Sequence, residues 1–385
     1  MRKILVITMT LLLAACGGGK KSAAEDDQSR PAALPEIQPE VTLKKLWSRS
    51  VSSDTKELHV TLVPALVDGI VYMADHTGRI TATDGVTGKS VWQQRLKVEI
   101  TAGIGHGEGL IYIGTGQGAL IAINMEDGKV QWETGILGEV LAPPMADESI
   151  VVARTIDGRV YGLSTSDGEQ RWSYQREVPS LTLRGDSAVL VDQGVAIAGF
   201  ANGKVVVSDL EAGTLLWEIT AAHPRGRDEI ERLIDIDAQP LLVGSVLYVG
   251  VYQSQVMALA LGTRRILWTR DLSTFRDIGA DNDRVYVSDD QDHIMALSRL
   301  TGDVSWSQEG LHQRGLTPPT VVGDYVVVGD FEGYVHLLDK GDGRLVGRIK
   351  VGGDGVSAKC LAQGDTLYVI TRKGVLSALK LTGSL

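Results

Sequence analysis

Residues 82–92 read "ATDGVTGKSVW", and the phrase returns along the chain. "AINMEDGKVQW" ends at Trp132, "GLSTSDGEQRW" at Trp172, "VSDLEAGTLLW" at Trp217, "ALALGTRRILW" at Trp268 and "ALSRLTGDVSW" at Trp306. Ten positions before each tryptophan stands a mostly small residue: Ala82, Ala122, Gly162, Val207, Ala258 and Ala296. Two degenerate copies follow. "LLDKGDGRLVG" puts Gly347 where Trp is expected, and "ALKLTGSL", from Ala378, ends before its Trp. The eight copies start 40, 40, 45, 51, 38, 41 and 41 residues apart. A period near forty marks a repeat architecture and outweighs local secondary-structure preference.

One unit contains four short strands. In residues 63–96, Val71 and Met73, then Ile80 and Ala82, alternate with other residues at period two, while "HTGR" and "DGVTG" are turn clusters. No helical period appears beyond the first fifteen residues. A single four-stranded sheet of this size cannot bury both faces, but eight stacked radially cover one another. The fold expected is all-β, an eight-bladed β-propeller of four-stranded antiparallel blades. The series Trp92, Trp132, Trp172, Trp217, Trp268 and Trp306 then supplies apolar plugs between blades, with room left by the small residue opposite. Trp47, in "LKKLW", has no turn before it, and the last copy has a turn but no Trp. Joined, they make one unit, so the N-terminal strand is expected to complete the last blade and leave no free sheet edge.

The organisation expected is a signal peptide at 1–15, a lipidated cysteine and flexible tether at 16–41, and one propeller domain at 42–385. Arg2 and Lys3 precede an apolar run from Ile4 to Ala15, too short for a membrane span. "LAAC" at 13–16 resembles the lipobox of bacterial lipoproteins, which makes Cys16 the lipidated first residue of the mature chain. The residue after it is Gly17 rather than the aspartate of inner-membrane retention, so the outer membrane is the expected address. Stable anchoring there requires more than one acyl chain on Cys16. The stretch that follows is Gly-, Ser-, Ala- and Pro-rich and has little to bury. With 38 Lys and Arg against 48 Asp and Glu, the formal charge is −10, and loss of Arg2 and Lys3 makes it more acidic still. That argues against nucleic acid as a partner.

Motifs for chemistry are scarce. The seven histidines show no zinc spacing, and no Gly-x-Ser-x-Gly occurs. "GIGHGEG" at 103–109 is followed by a strand-like "LIYIG" and reads as a turn, not a dinucleotide loop. "SDDQDH" at 288–293 lacks a calcium-loop Glu and reads as a solvated hairpin turn. Cys360 is the one cysteine left after Cys16, so no disulfide forms within the mature chain, and a buried small hydrophobe is its expected role. The blade phrase itself resembles that of the pyrroloquinoline quinone (PQQ) dehydrogenases. Those enzymes carry paired adjacent cysteines and acidic calcium ligands, which this chain lacks. The motif is therefore a scaffold: no cofactor, no metal and no catalytic residue is expected.

Lipobox, polar tether and eight PQQ-type blades together resemble the BamB family, lipoprotein accessories of the β-barrel assembly machinery in the Gram-negative outer membrane. The resemblance spans the chain and is specific in "RITATDGVTGKSVW", "SLTLRGDSA" and "EIERLIDID". It implies a non-catalytic scaffold at the periplasmic face of the outer membrane. The implied partners are the POTRA domains of BamA, the central barrel-inserting subunit, and unfolded outer-membrane proteins. A PQQ-dependent periplasmic oxidoreductase and a periplasmic ligand sensor are the alternatives; co-purifying chains discriminate among the three.

Repeat register adds a candidate surface. Leu183 follows Trp172 by eleven residues and Leu316 follows Trp306 by ten, and aligning Pro240 with Pro319 puts Asp237 at the same blade position. Leu181, Leu183 and Arg184 are thus expected beside Asp235 and Asp237, on one face of adjacent blades. These are also positions by which the resembled family contacts BamA. Two readings stay open: exposed leucines with charges fixing register, or leucines alternating into the core beside a solvated acidic loop.

Overall fold

The computed structural model describes residues 30–51, 62–179, 181–183 and 187–383. The segment expected to be a signal peptide, Cys16 and Arg184 lie outside these. Blade one shows how a repeat folds. Its strands Ala65–Val67, Ile70–Ala74, Arg79–Asp84 and Ser90–Arg95 are hydrogen-bonded in chain order. Asp68 and Gly69 both take positive φ (49° and 77°), the two-residue turn that matches strand twist. Asp84 closes the last hairpin, its Oδ1 accepting from Thr87 N at 2.7 Å and Thr87 Oγ1 at 2.6 Å. Seven further sheets follow the same plan, and strand Thr42–Ser50 pairs antiparallel with Val375–Thr382 as the outer strand of blade eight. The eight-bladed propeller read from the repeat is the fold observed, closed as expected by the N-terminal strand.

The packing rests on a three-strand cross-section. Tyr72 faces Ala82, and Ala82 faces Trp92. Because Ala82 is small, the two rings close over it at 6.0 Å between centroids. The same Tyr–Ala–Trp ladder recurs at Tyr112, Tyr248, Tyr286 and Tyr368, whose rings lie 5.9–6.2 Å from Trp132, Trp268, Trp306 and Trp47. Each indole then reaches the next blade. Trp92 Nε1 donates to Met125 O at 2.7 Å, Trp132 Nε1 to Thr165 O at 2.8 Å, and Trp47 Nε1 crosses the closure to Gly85 O at 3.0 Å. Its face lies on a turn glycine. A Cβ on Gly128, where φ is 72°, would meet the Trp92 ring at 2.6 Å. Among the described residues the hydrophobic core accordingly forms eight clusters, each drawn from two consecutive blades, including eight and one.

Blades three, four and seven lack the ladder tyrosine, with Val152, Ile197 and Val327 in its place, and two seams also depart from the contact of indole on turn glycine. Between blades four and five the turn glycine is replaced by Arg264, at φ 58°, whose guanidinium lies 5.8 Å over the Trp217 ring. Between blades seven and eight Gly347 faces Leu337 instead of an alanine. A tryptophan at 347 would look for the last turn of blade eight, but there the sheet is made of the chain's two ends and has no such turn. This seam is filled instead by Val41, 2% exposed, whose backbone carbonyl would lie 2.7 Å from a Cβ at 347.

Val41 belongs to a docked strap. Glu40 N and Val41 N donate to Val346 O, Arg348 Nη1 donates to Pro35 O at 3.3 Å, and Ala32 N donates to His312 O at 2.9 Å. Arg314, bidentate on Asp330 at 2.7 and 2.9 Å, also donates from Nη1 to Ala32 O at 2.8 Å. Within the stretch read from sequence as tether, Pro35, Glu40 and Val41 therefore bond the outer strand of blade seven, Leu345–Lys350, and Ala32 the connection that enters that blade.

Candidate docking surface

Blade-to-blade connections and the middle turns of the blades share one face. Leu96 N donates to Gly78 O, Arg176 N to Gly158 O and Ala221 N to Gly203 O, tying each connection to the turn of the blade it leaves. Most connections are short, such as 96–104 and 136–144, but blades three to four use 176–189 and blades four to five use 221–240. In the second of these the extra chain is a charged run, "HPRGRDEIERLID" at 223–235.

The structure brings Leu181, Leu183 and Asp235 together here. Leu181 is 43% exposed, and Leu183 is half-buried. Leu183 and Asp235 line one small recess with Arg154, Thr155, Val178 and Thr182. The carboxylates are not surface charges: Asp235 and Asp237 are 2% and 7% exposed. Backbone pairing explains this, since Asp235 is bridged antiparallel to Tyr252 and its carbonyl accepts from Tyr252 N at 2.8 Å. Burial pushes the Asp235 carboxyl up to about 6, against the pull of the Arg154 guanidinium and the N–H groups of Ile236 and Leu183. Arg154 is the residue that sequence reasoning missed. It sits in blade three, donates from Nη1 to Gly199 O at 2.6 Å, lies 5.0 Å over the Phe200 ring, and feels both Asp235 and Asp237. No spacing ties residue 154 to residue 235; only the ring does.

Asp237 points elsewhere, into a cavity of about 360 Å³ shared with Phe275, Arg276, Leu316 and Lys359. These come from the connections leaving blades four to seven, so the cavity sits at the centre of the same face. Phe275, 37% exposed, is covered by the Arg276 guanidinium at 4.4 Å, and Arg276 is held by Asp292 at 2.8 Å. Here the acidic run 288–293 departs from the solvated turn expected. Asp289 and Asp292 are buried because they accept backbone N–H groups: His293 N on Asp289, and Gly315 N and Leu316 N on Asp292. Gly105–Gly107, within the glycine-rich stretch read as a turn, forms the first strand of blade two. Cys360 is buried and its thiol is pushed up to about 12, which keeps it protonated and unreactive at neutral pH.

The surface is therefore apolar at its rim and ionic beneath. A family model described as outer membrane protein assembly factor BamB matches residues 39–98 and 76–308. A protein of that name from Pseudomonas aeruginosa is 48% identical over 348 residues, 90% of this chain and 92% of its own. One from Kangiella koreensis is 44% identical over 91% of this chain and 90% of its own. The crystal structure of BamB from Moraxella catarrhalis matches with a TM-score of 0.80 at 27% identity, over 88% of this chain and 99% of that one. Quinohemoprotein alcohol dehydrogenase from Comamonas testosteroni also matches, at TM-score 0.69 but 12% identity, covering 88% of this chain and 76% of that one, which shares the fold alone. By sequence and by structure, the chain belongs to the family of the outer membrane protein assembly factor BamB.

Proposed function

We propose that this chain is a non-catalytic scaffold of the outer-membrane β-barrel assembly machinery. It is held at the periplasmic face by acyl chains on Cys16 and docks the POTRA domains of BamA with its connections at 176–189 and 221–240. In this position it assists delivery of unfolded outer-membrane proteins. The observation that carries this reading is the pairing of exposed Leu181 and half-buried Leu183 with the buried Asp235 beneath them. An apolar rim over a buried ionic layer has the composition of a hot spot, where anchors supply affinity and charges supply register. Arg184 is assigned to the same surface.

The test is co-purification with BamA from outer membranes. Leu181→Arg, and Leu183→Ala combined with Arg184→Ala, are expected to abolish it while the thermal transition stays nearly unchanged. Loss of binding together with unfolding would return the leucines to a packing role, and intact binding would remove this surface from the mechanism.

A further inference from the structure

The longest connection ends in a knob. At its tip Ile230 is 69% exposed, more than Leu181 or any other large apolar residue described on the face of the blade-to-blade connections. An exposed isoleucine on a loose loop would mean little, but this turn is tied down. Asp228 Oδ1 accepts from Glu231 N at 2.8 Å, and Glu231 Oε2 accepts from Arg227 N at 2.8 Å. Arg232 N donates to Asp228 O at 3.1 Å and Leu233 N to Ile230 O at 3.2 Å. Blade five clamps the turn from below. With its amide nitrogen turned toward the loop, Gln253 lies 3.1 Å from Ile230 O, 3.2 Å from Glu231 O and 3.0 Å from Leu233 O. Gln253 is itself held in a middle turn at φ 52°, its N donating to Ser273 Oγ at 2.9 Å. The ordering entropy of the tip is thus already met by the fold, which is the condition for an efficient anchor.

Beside the knob lies a hole. A pocket of about 240 Å³ runs between the two long connections, lined by Pro179, Leu181, Pro224, Leu233 and Ile234, with Glu229 and Arg232 at its edge. Both flank the residue that projects, so knob and hole are built from one turn. We infer that Ile230 is an apolar anchor that inserts into the protein partner, while the adjacent pocket receives an apolar side chain from that same partner.

This rests on the proposed function and names a second contact within it. The partner fitted is a folded protein surface offering one apolar recess beside one apolar projection. Charges of both signs flank the knob, so the partner's rim is mixed and not uniformly basic or acidic. A lipid surface would favour a cationic rim, whereas here Arg225, Arg227 and Arg232 are interleaved with Asp228, Glu229 and Glu231.

The test measures binding of the full lipidated chain, purified in detergent, to the immobilised POTRA region of BamA. Ile230→Ala is expected to weaken binding roughly tenfold or more, chiefly through faster dissociation. Val86→Ala, in a last-hairpin turn, should bind as the wild type does. Gln253→Ala should weaken binding less, and the double variant Ile230→Ala with Gln253→Ala should bind no worse than Ile230→Ala alone, because the clamp acts only through the knob. Additive losses would assign Gln253 a separate role and contradict the inference. No binding by the wild-type chain overturns both readings, while wild-type binding unaffected by Ile230→Ala overturns this one alone. Unchanged partner binding with lost attachment to phosphatidylethanolamine–phosphatidylglycerol vesicles would make the occupant a lipid surface, and would equally overturn it.

Discussion

Asp235→Asn replaces a buried carboxylate by its neutral isostere and should raise stability at neutral pH. The carboxyl moves from an ordinary 3.8 to about 6 on folding, because burial outweighs Arg154 and the two backbone donors. At about 1.36 kcal/mol per pKa unit, the ionised form carries a penalty of ~3 kcal/mol relative to the neutral one. A raised acid pKa stabilises the fold below pH 3.8 and gives that contribution up as pH rises through 6. Wild type should therefore trail Asp235→Asn by up to ~3 kcal/mol near pH 7.5, and the gap should close toward pH 4. The asparagine keeps an oxygen for the Leu183 N–H, so little packing changes. Urea unfolding of both proteins across this range reads the difference, with equal m-values confirming comparable end states. A variant less stable than wild type at neutral pH would refute the reasoning. So would a gap that does not change with pH, since the carboxyl would then titrate alike in the folded and unfolded chains. A carboxylate kept ionised at such cost points to use rather than packing.

Three further outcomes follow from the seams and the anchor. Trp132→Ala removes a buried indole and its bond to Thr165 O, and should destabilise by about 3–5 kcal/mol in the same urea assay. Val41→Asp puts a charge into the seam that has no tryptophan, so amide exchange should rise in 337–350 while 122–135 stays protected. Equal protection of both would show that the strap contributes nothing there. Cys16→Ser should release the chain from outer membrane in cells lacking its partner; full retention would remove the lipid from the account.

The fold was legible because its period is carried by residues that packing cannot exchange: the tryptophan, the small residue opposite and the turn glycine. Ring closure was legible from Trp47 together with the last copy, which lacks its own tryptophan. The tyrosine ladder was equally visible, ten residues before each of the five alanines that carry it, but tyrosine at a strand position is unremarked until the indole is seen to meet it. The filling of the seam at Gly347 was not legible, because the residue that replaces the tryptophan, Val41, lies some three hundred positions away. The site was legible only in placement. Register put Leu183 near Asp235, yet burial of the carboxylates, the Arg154 beneath them and the clamp on Ile230 depend on blades side by side in the ring.

The most direct measurement places a photo-crosslinking amino acid at position 181 or at position 86 and identifies the captured chain in living cells. Leu181 lies on the face of the blade connections, and Val86, 79% exposed, in the last-hairpin turn of blade one. The account predicts capture of BamA from 181 and none from 86. Capture of BamA from 86 with none from 181 would contradict it.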